Sequence, residues 1–177
     1  SPERTSFKDA QSEYLIEQVQ QNQGSGAQSD GGATVTLKME FNHPVKELVF
    51  FWRRAVNEGS AVTAVGTEPN RDNFTSGAGG AYLANTGLST ANISFNGSDR
   101  VATRDTSYFT ELQPYAHHTR VPRLPGIHCY SFALRPEDHQ PSGSANFSRI
   151  DNAQLKLVGN AAGNPDYTPY VYAVNYN

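Results

Sequence analysis

Along residues 34–41, TVTLKMEF, apolar and polar positions alternate without a break. Val35, Leu37, Met39 and Phe41 fall on one side, Thr34, Thr36, Lys38 and Glu40 on the other. Successive side chains of a strand point to opposite faces, so this pattern predicts a strand with one dry face. Asn42, His43 and Pro44 break it, and VKELVFFWRR follows over residues 45–54. The short connection predicts an antiparallel hairpin between the two strands. In the second strand Leu48, Phe50 and Trp52 share one face while Val49 and Phe51 occupy the other. Both faces then need cover, and packing beyond the strand's own core is predicted. Residues 48–52 are therefore the candidate packing or interface strand.

Residues 55–90 carry no sustained period and are rich in Gly, Ala, Ser, Thr and Asn, which predicts a long loop. ANISF, then Asn96-Gly97, then SDRVATR predicts a second hairpin, because Asn-Gly accommodates the positive φ angles of a type I′ turn. In GIHCYSFAL, Tyr130, Phe132 and Leu134 alternate with the small Cys129, Ser131 and Ala133. NAQLKL offers Leu155 and Leu157, and YVYAVNY offers Tyr170, Tyr172, Val174 and Tyr176 on one side. EYLIEQVQ is ambiguous: Leu15 and Val19 suit a helix, whereas Leu15, Glu17 and Val19 suit one side of a strand. About seven short strands separated by turn chemistry predict an all-β sandwich of two antiparallel sheets.

Composition narrows the function classes. Hydrophobic residues make up 37% of the 177, enough for one domain with a sizeable core. Charged residues are 18%, below the roughly 25% of an ordinary soluble domain, and 15 Gly and 10 Pro fit a turn-rich fold. The net charge is −3 and no basic run exceeds Arg53-Arg54, so direct nucleic-acid binding has no electrostatic footprint. The longest apolar run, 48–52, is too short to span a bilayer as a helix. One cysteine, Cys129, excludes an internal disulfide and a cysteine metal cluster, and suits a reducing compartment.

The stretch RPEDHQPSGSANFSRIDNAQL, residues 135–155, contains the residue types of a nucleophilic site in His139, Ser142, Ser144, Asp138 and Asp151. It lacks the context: there is no G-x-S-x-G, and no strand–turn–helix surrounds either serine. Pro136, Pro141, Ser142, Gly143 and Asn146 are residues with which chains reverse direction. No catalytic residue is predicted. His117 and His118, with His128 or Asp105, have no metal-site spacing and read as a solvated pair, so neither a metal nor another cofactor is predicted. SGAGGA, residues 76–81, lacks the Gly-Lys-Ser/Thr of a phosphate loop and reads as a flexible segment. Asn73, Asn92, Asn96 and Asn146 each begin an Asn-x-Ser/Thr triplet, relevant only in a secretory compartment. Tyr115, Tyr167 and Tyr170 would serve sugar stacking or protein interfaces equally well, which leaves a carbohydrate-binding sandwich as the alternative function.

CYSFALRPEDHQPSGSANFSRIDNAQLKL closely resembles the C-terminal half of the major capsid proteins of nucleocytoplasmic large DNA viruses. The motif stands here as Pro141, Ser142, Gly143, then Asn146, Phe147, Ser148, Arg149, then Ile150 and Asp151. EYLIEQVQ, FNHPVKEL, YFTELQPYAHHTRVPRLPGIHCYSFAL and VYAVNYN match the family in the same order. The resemblance implies a jelly roll, the second of two in each subunit, occupying residues 1–177 in part, with 55–90 as the loop between strands D and E. It implies strand B at 14–20, C at 34–41, D at 45–54, E at 91–95, F at 128–134, G within 146–158 and H at 170–176. On that lettering the last strand, I, is missing, and the chain is expected to be a segment of a longer subunit. The implied function is structural and not enzymatic: homotrimeric, pseudo-hexagonal capsomers tiling an icosahedral shell. Minor capsid proteins are the implied partners, the virion the location, and the host cytoplasm the place of assembly.

Overall fold

The computed structural model describes residues 14–24, 34–59, 70–84, 86–160 and 167–177. Among them two antiparallel sheets pack face to face. The first holds β1 (Glu17–Gln23), β9 (Tyr167–Tyr176), β3 (Pro44–Arg54) and β6 (Ile127–Ser131) in that order, with the short β7 (Ala145–Asn146) also on β3. The second runs β2 (Thr34–Lys38), β8 (Ala153–Gly159), β4 (Leu88–Phe95), β5 (Ser98–Asp105). The inward faces alternate as the pattern requires. Leu37, Ile93, Leu155 and Leu157 from one sheet meet Val45, Leu48, Phe50, Trp52, Val171 and Ala173 from the other. Fully burying side chains of this size contributes about 1.5–3 kcal/mol each.

The predicted hairpin between residues 34–41 and 45–54 does not form. β2 pairs with β8, while β3 pairs with β6 and β9, so the two strands belong to opposite sheets. The chain crosses the core between them: Met39 and Phe41 are buried, and His43 turns the corner at φ 68°. Apolar residues on both strands thus face each other across the sandwich rather than along one sheet. The second hairpin does form, with Asn96 at φ 51° and Gly97 at φ 82° between β4 and β5.

The expected missing strand also needs correction. The place between β1 and β3 is filled by β9, which pairs antiparallel with both. The first sheet is therefore B-I-D-G and the second C-H-E-F, with β5 as strand F. Leaving the second arm of the Asn-Gly hairpin unlettered shifts every later strand by one letter. Residues 128–134, 146–158 and 170–176 accordingly contain strands G, H and I.

EYLIEQVQ leads into β1, but with a facing opposite to the apolar pattern. Gln18, Gln20 and Asn22 are half-buried, whereas Val19 is 66% exposed. Polar side chains point inward because they close the gap to the β2–β3 crossing. Gln20 both donates to Asn42 O (3.3 Å) and accepts from Asn42 N (2.9 Å), and Asn22 donates to Lys38 O (2.6 Å).

No helix is predicted for residues 106–117, yet a π-helical stretch, Tyr108–Leu112, runs into α1 (Gln113–His117). It covers the open edge of β6, where Gln113 Oε1 accepts from Ser131 N at 3.1 Å. Phe109 enters the core edge-on to Phe50, with ring centroids 5.3 Å apart. Covering an edge satisfies backbone groups that would otherwise invite another strand. In the second sheet the edge strand β5 bears Asp99, Arg100, Arg104 and Asp105 instead.

Candidate assembly site

The motif segment closes one end of the sandwich. Ser142 Oγ accepts from Arg135 N (2.9 Å) and donates to Arg135 O (3.1 Å), which shuts a loop over residues 135–142. Gly143 follows at φ 147°, where a Cβ would stand 2.7 Å from Phe132 O. β7 then pairs Pro44 with Asn146 and Val45 with Ala145. Asn146 Oδ1 accepts from Ser148 N, Ser148 Oγ accepts from His43 N at 2.9 Å, and Phe147 N donates to His43 O at 3.1 Å. Phe147 is buried against Phe41, Phe95 and Phe132. The polar residues hold the turn at residues 42–44 and seat one aromatic plug.

The backbone after β7 is not extended. Phe147–Arg149 is a 3-10 turn rather than strand, so Arg149 and Asp151 do not share a strand face. Both are exposed, and among the described residues no ion pair joins them. His139 and Ser144 are exposed too, and no hydrogen bond links His139 to either serine.

On the candidate packing strand, Leu48, Phe50 and Trp52 are in the core, as the alternation requires. Val49 and Phe51 lie on the outer face of the sheet. Phe51 is covered by this chain itself: Phe74 packs edge-on at 4.8 Å, Tyr170 stacks at 5.1 Å, and the Arg53 guanidinium lies 5.0 Å from the Phe51 and Phe74 rings. Val49 stays half-buried beside Tyr172, and Val19 lies beside Val174 in the same outer face. Apolar surface also remains around α1, where Tyr115 is 80%, Leu134 74% and Leu112 53% exposed. An open groove of about 820 Å³ runs past Arg104, Tyr108, Leu112, Tyr115 and Val121.

The described residues of 55–90 are a 3-10 turn, Ala55–Asn57, and irregular chain until β4 begins at Leu88; 60–69 and 85 lie outside the described residues. Asn57 and Asn73 are fully buried. Asn57 donates to Asn73 O (3.2 Å) and Gly77 O (3.0 Å) and accepts from Gly79 N (2.8 Å). Asn73 donates to Gly79 O and Ala81 O and accepts from Thr75 N and Oγ1. The glycine-rich 76–81 stretch thus supplies backbone partners to buried amides. Side-chain satisfaction of this kind leaves no periodic trace in a sequence.

Tyr167 is buried edge-on to Trp52, and Tyr170 donates to Glu58 Oε1 at 2.6 Å. Burial, then that hydrogen bond, pushes the Tyr170 phenol up to about 12. Of the Asn-x-Ser/Thr asparagines, Asn73 and Asn92 are buried, and Asn96 and Asn146 are exposed. His117 and His118 are not a solvated pair: His117 Nδ1 lies 3.1 Å from Leu134 O, and His118 lies between Glu47 and Glu137. His128, on β6, is fully buried and stacks on Phe50 at 5.2 Å.

Comparison with known proteins agrees with this architecture. Residues 3–177 match the family described as large eukaryotic DNA virus major capsid protein. The chain is 37% identical to the major capsid protein of Pyramimonas orientalis virus over 99% of its own length and 42% of the relative's. It is 41% identical to that of Paramecium bursaria Chlorella virus 1, over 88% of this chain and 38% of the relative. A quasi-atomic model of the PBCV-1 virus capsid superposes with a TM-score of 0.76 at 34% identity, covering 99% of this chain and 51% of the other. The chain thus spans about half or less of the proteins it matches. Motif, strand order and comparisons converge: the chain belongs to the large eukaryotic DNA virus major capsid protein family.

Proposed function

We propose that this chain is a shell-forming jelly roll of a viral capsid subunit, the second of two, acting by shape and self-association without catalysis. The observation that carries the reading is apolar surface left uncovered on a well-filled sandwich. It lies around α1 at Tyr115 and Leu134 and at the exposed Val19 on the outer face of the first sheet, where Val49, Tyr172 and Val174 are half-buried. Exposed apolar patches of this kind mark contact surfaces. The subunits form homotrimeric, pseudo-hexagonal capsomers that tile an icosahedral shell in the virion, with minor capsid proteins as further partners and assembly in the host cytoplasm. The polar motif from Pro141 to Asp151 serves this role as a rigid end-closure.

The test is the mass of the full-length subunit by size-exclusion chromatography with light scattering. Wild type is expected to be trimeric, and Tyr115→Asp with Leu134→Asp to be folded but monomeric. Those two side chains are too exposed to matter for folding. A folded monomeric wild type, or intact trimers in the double variant, would overturn this reading. Ser142→Ala, Ser144→Ala and His139→Ala are expected to change no hydrolytic turnover; loss of a measurable wild-type activity in any of them would establish catalysis instead.

A further inference from the structure

Three side chains of different chemistry meet on the outer face of the first sheet. Glu47 leaves β3 on that face, and Cys129 leaves β6 directly across from Val49. His118 reaches them from just beyond α1. One ligand atom from each of Glu47, His118 and Cys129 lies within 4.8 Å of the others. All three are withdrawn from water, with Cys129 7% exposed and the side chains of Glu47 and His118 at 10% and 18%.

The imidazole is held from behind. His118 Nδ1 lies 3.3 Å from Glu137 Oε1, and the Glu137 carboxylate accepts from Thr119 N at 3.2 Å. With Nδ1–H donating to Glu137, Nε2 presents its lone pair toward Glu47 and Cys129. Nε2 stands 2.8 Å from Glu47 Oε1, an ion-pair contact whose alignment falls short of a good hydrogen bond. Among the described residues Cys129 Sγ donates one hydrogen bond, to Phe109 O at 3.7 Å. An ion pair between His118 and the two glutamates would explain the histidine but leave the thiol without a role. A carboxylate behind an imidazole whose other nitrogen faces a thiol and a second carboxylate is the arrangement of a metal ligand with its supporting group.

We propose that Glu47, His118 and Cys129 form a zinc-binding site, with Glu137 as the residue that positions His118. Mixed nitrogen, oxygen and sulfur donors suit Zn²⁺ better than Mg²⁺ or Ca²⁺, which prefer oxygen alone. A water, or the second oxygen of Glu47, takes the fourth position. Ligands at zinc distances stand about 3.5 Å apart, so side-chain movements of about 1 Å close the site. On binding, the Cys129 thiol gives its proton to solvent and the sulfur coordinates as thiolate. The carboxylate and thiolate then balance the two charges of the ion, which offsets the cost of burying Glu47. Burial, and secondarily Glu47, keeps the metal-free thiol protonated, so binding must expel this proton. The loaded site would tie β3, β6 and the end of α1 together.

The experiment uses the full-length subunit, stripped with a chelator, titrated with Zn²⁺ and separately with Co²⁺, whose thiolate complexes absorb by charge transfer. Expected are stoichiometric zinc and a cobalt–thiolate band in wild type. Both should be lost in Cys129→Ser and in His118→Gln, and affinity should fall about 10–100-fold in Glu137→Gln. Stripped Cys129→Ser should melt with stripped wild type, showing that the fold survives. A wild type without stoichiometric zinc, or zinc uptake unchanged by Cys129→Ser, would overturn the site.

Discussion

Residues 70–84 and 135–152 are written in nearly the same alphabet, rich in Gly, Ser, Asn and Asp. Their physics differs. In the first, Asn73 and Thr75 are buried, and each buried amide or hydroxyl is matched to a backbone partner. In the second, Ser142, Asn146 and Ser148 work at the surface, holding turns while only Phe147 goes inside. A polar group made to bond away from water is costly to remove, because its partner is then stranded; at the surface water replaces it. Polar composition therefore says little about energetic weight until burial is known.

The sharpest way to break this comparison is Asn73→Ala. It strands the carbonyls of Gly79 and Ala81 and removes the acceptor for Thr75 N and Oγ1. Each buried group left unpaired costs about 1–3 kcal/mol, so a loss of about 3–5 kcal/mol is expected in denaturant unfolding. A loss below about 1 kcal/mol would mean the network is solvated and the two regions are alike.

Histidines carry the same contrast. His128 is buried on Phe50, its Nδ1 3.3 Å from Phe50 O, while His139 is exposed in the motif segment. Burial lowers the His128 imidazole from 6.5 to about 4. The unfolded chain therefore binds a proton that the folded chain refuses. The resulting stability is fully present above pH about 6.5 and is lost as pH falls to about 4 and below, a difference of about 3 kcal/mol. Melting temperature against pH should show this acid loss in wild type and in His139→Ala, and a shallower one in His128→Phe. Equal slopes in all three would remove His128 as the cause.

Within the motif segment the backbone should matter more than most side chains. Gly143→Ala must hold φ 147° and push a methyl within 2.7 Å of Phe132 O. Strain of this kind costs about 1–3 kcal/mol. Ser142→Ala loses two exposed hydrogen bonds to Arg135 and should cost about 1 kcal/mol. Urea midpoints in the order wild type, Ser142→Ala, Gly143→Ala are expected; the reverse order would make the hydroxyl the stronger constraint.

What was legible in the sequence follows the same division. Alternation exposes strands with one dry face, so residues 34–38, 48–52 and 153–157 announce themselves, and Asn96-Gly97 announces its turn. Pairing is not written in alternation. VTLKMEF and VKELVFFW look like hairpin neighbours, and only their burial against each other across the core sends them to opposite sheets. The helical stretch 108–117 was illegible because its job is edge cover by Gln113 and Phe109, not a long apolar face. The Glu47–His118–Cys129 cluster was illegible for a similar reason, since its members are far apart in the chain and meet only when β3, β6 and the end of α1 do.

The smallest expected effect tests the most distinctive residue of the motif. Arg149 follows Ser148, whose hydroxyl holds His43 N, and Phe147, whose ring fills the aromatic plug. Its own side chain is exposed, and among the described residues it forms no ion pair, with Asp151 two residues away equally exposed. A buried pair would cost about 3–5 kcal/mol to break, an exposed unpaired arginine within about 0.5 kcal/mol to truncate. Arg149→Ala should therefore unfold at the same urea concentration as wild type, in contrast to Asn73→Ala. A guanidinium on a rigid end-closure, with no hydrogen-bond or ion-pair partner among the described residues, is suited to a planar contact with a carboxylate or with carbonyls of a neighbouring subunit. Light scattering on the same variant would then show weakened assembly with an unchanged melting temperature. A melting temperature that falls as far as that of Asn73→Ala would place Arg149 among the groups that hold the fold, and the two polar regions would no longer differ in kind.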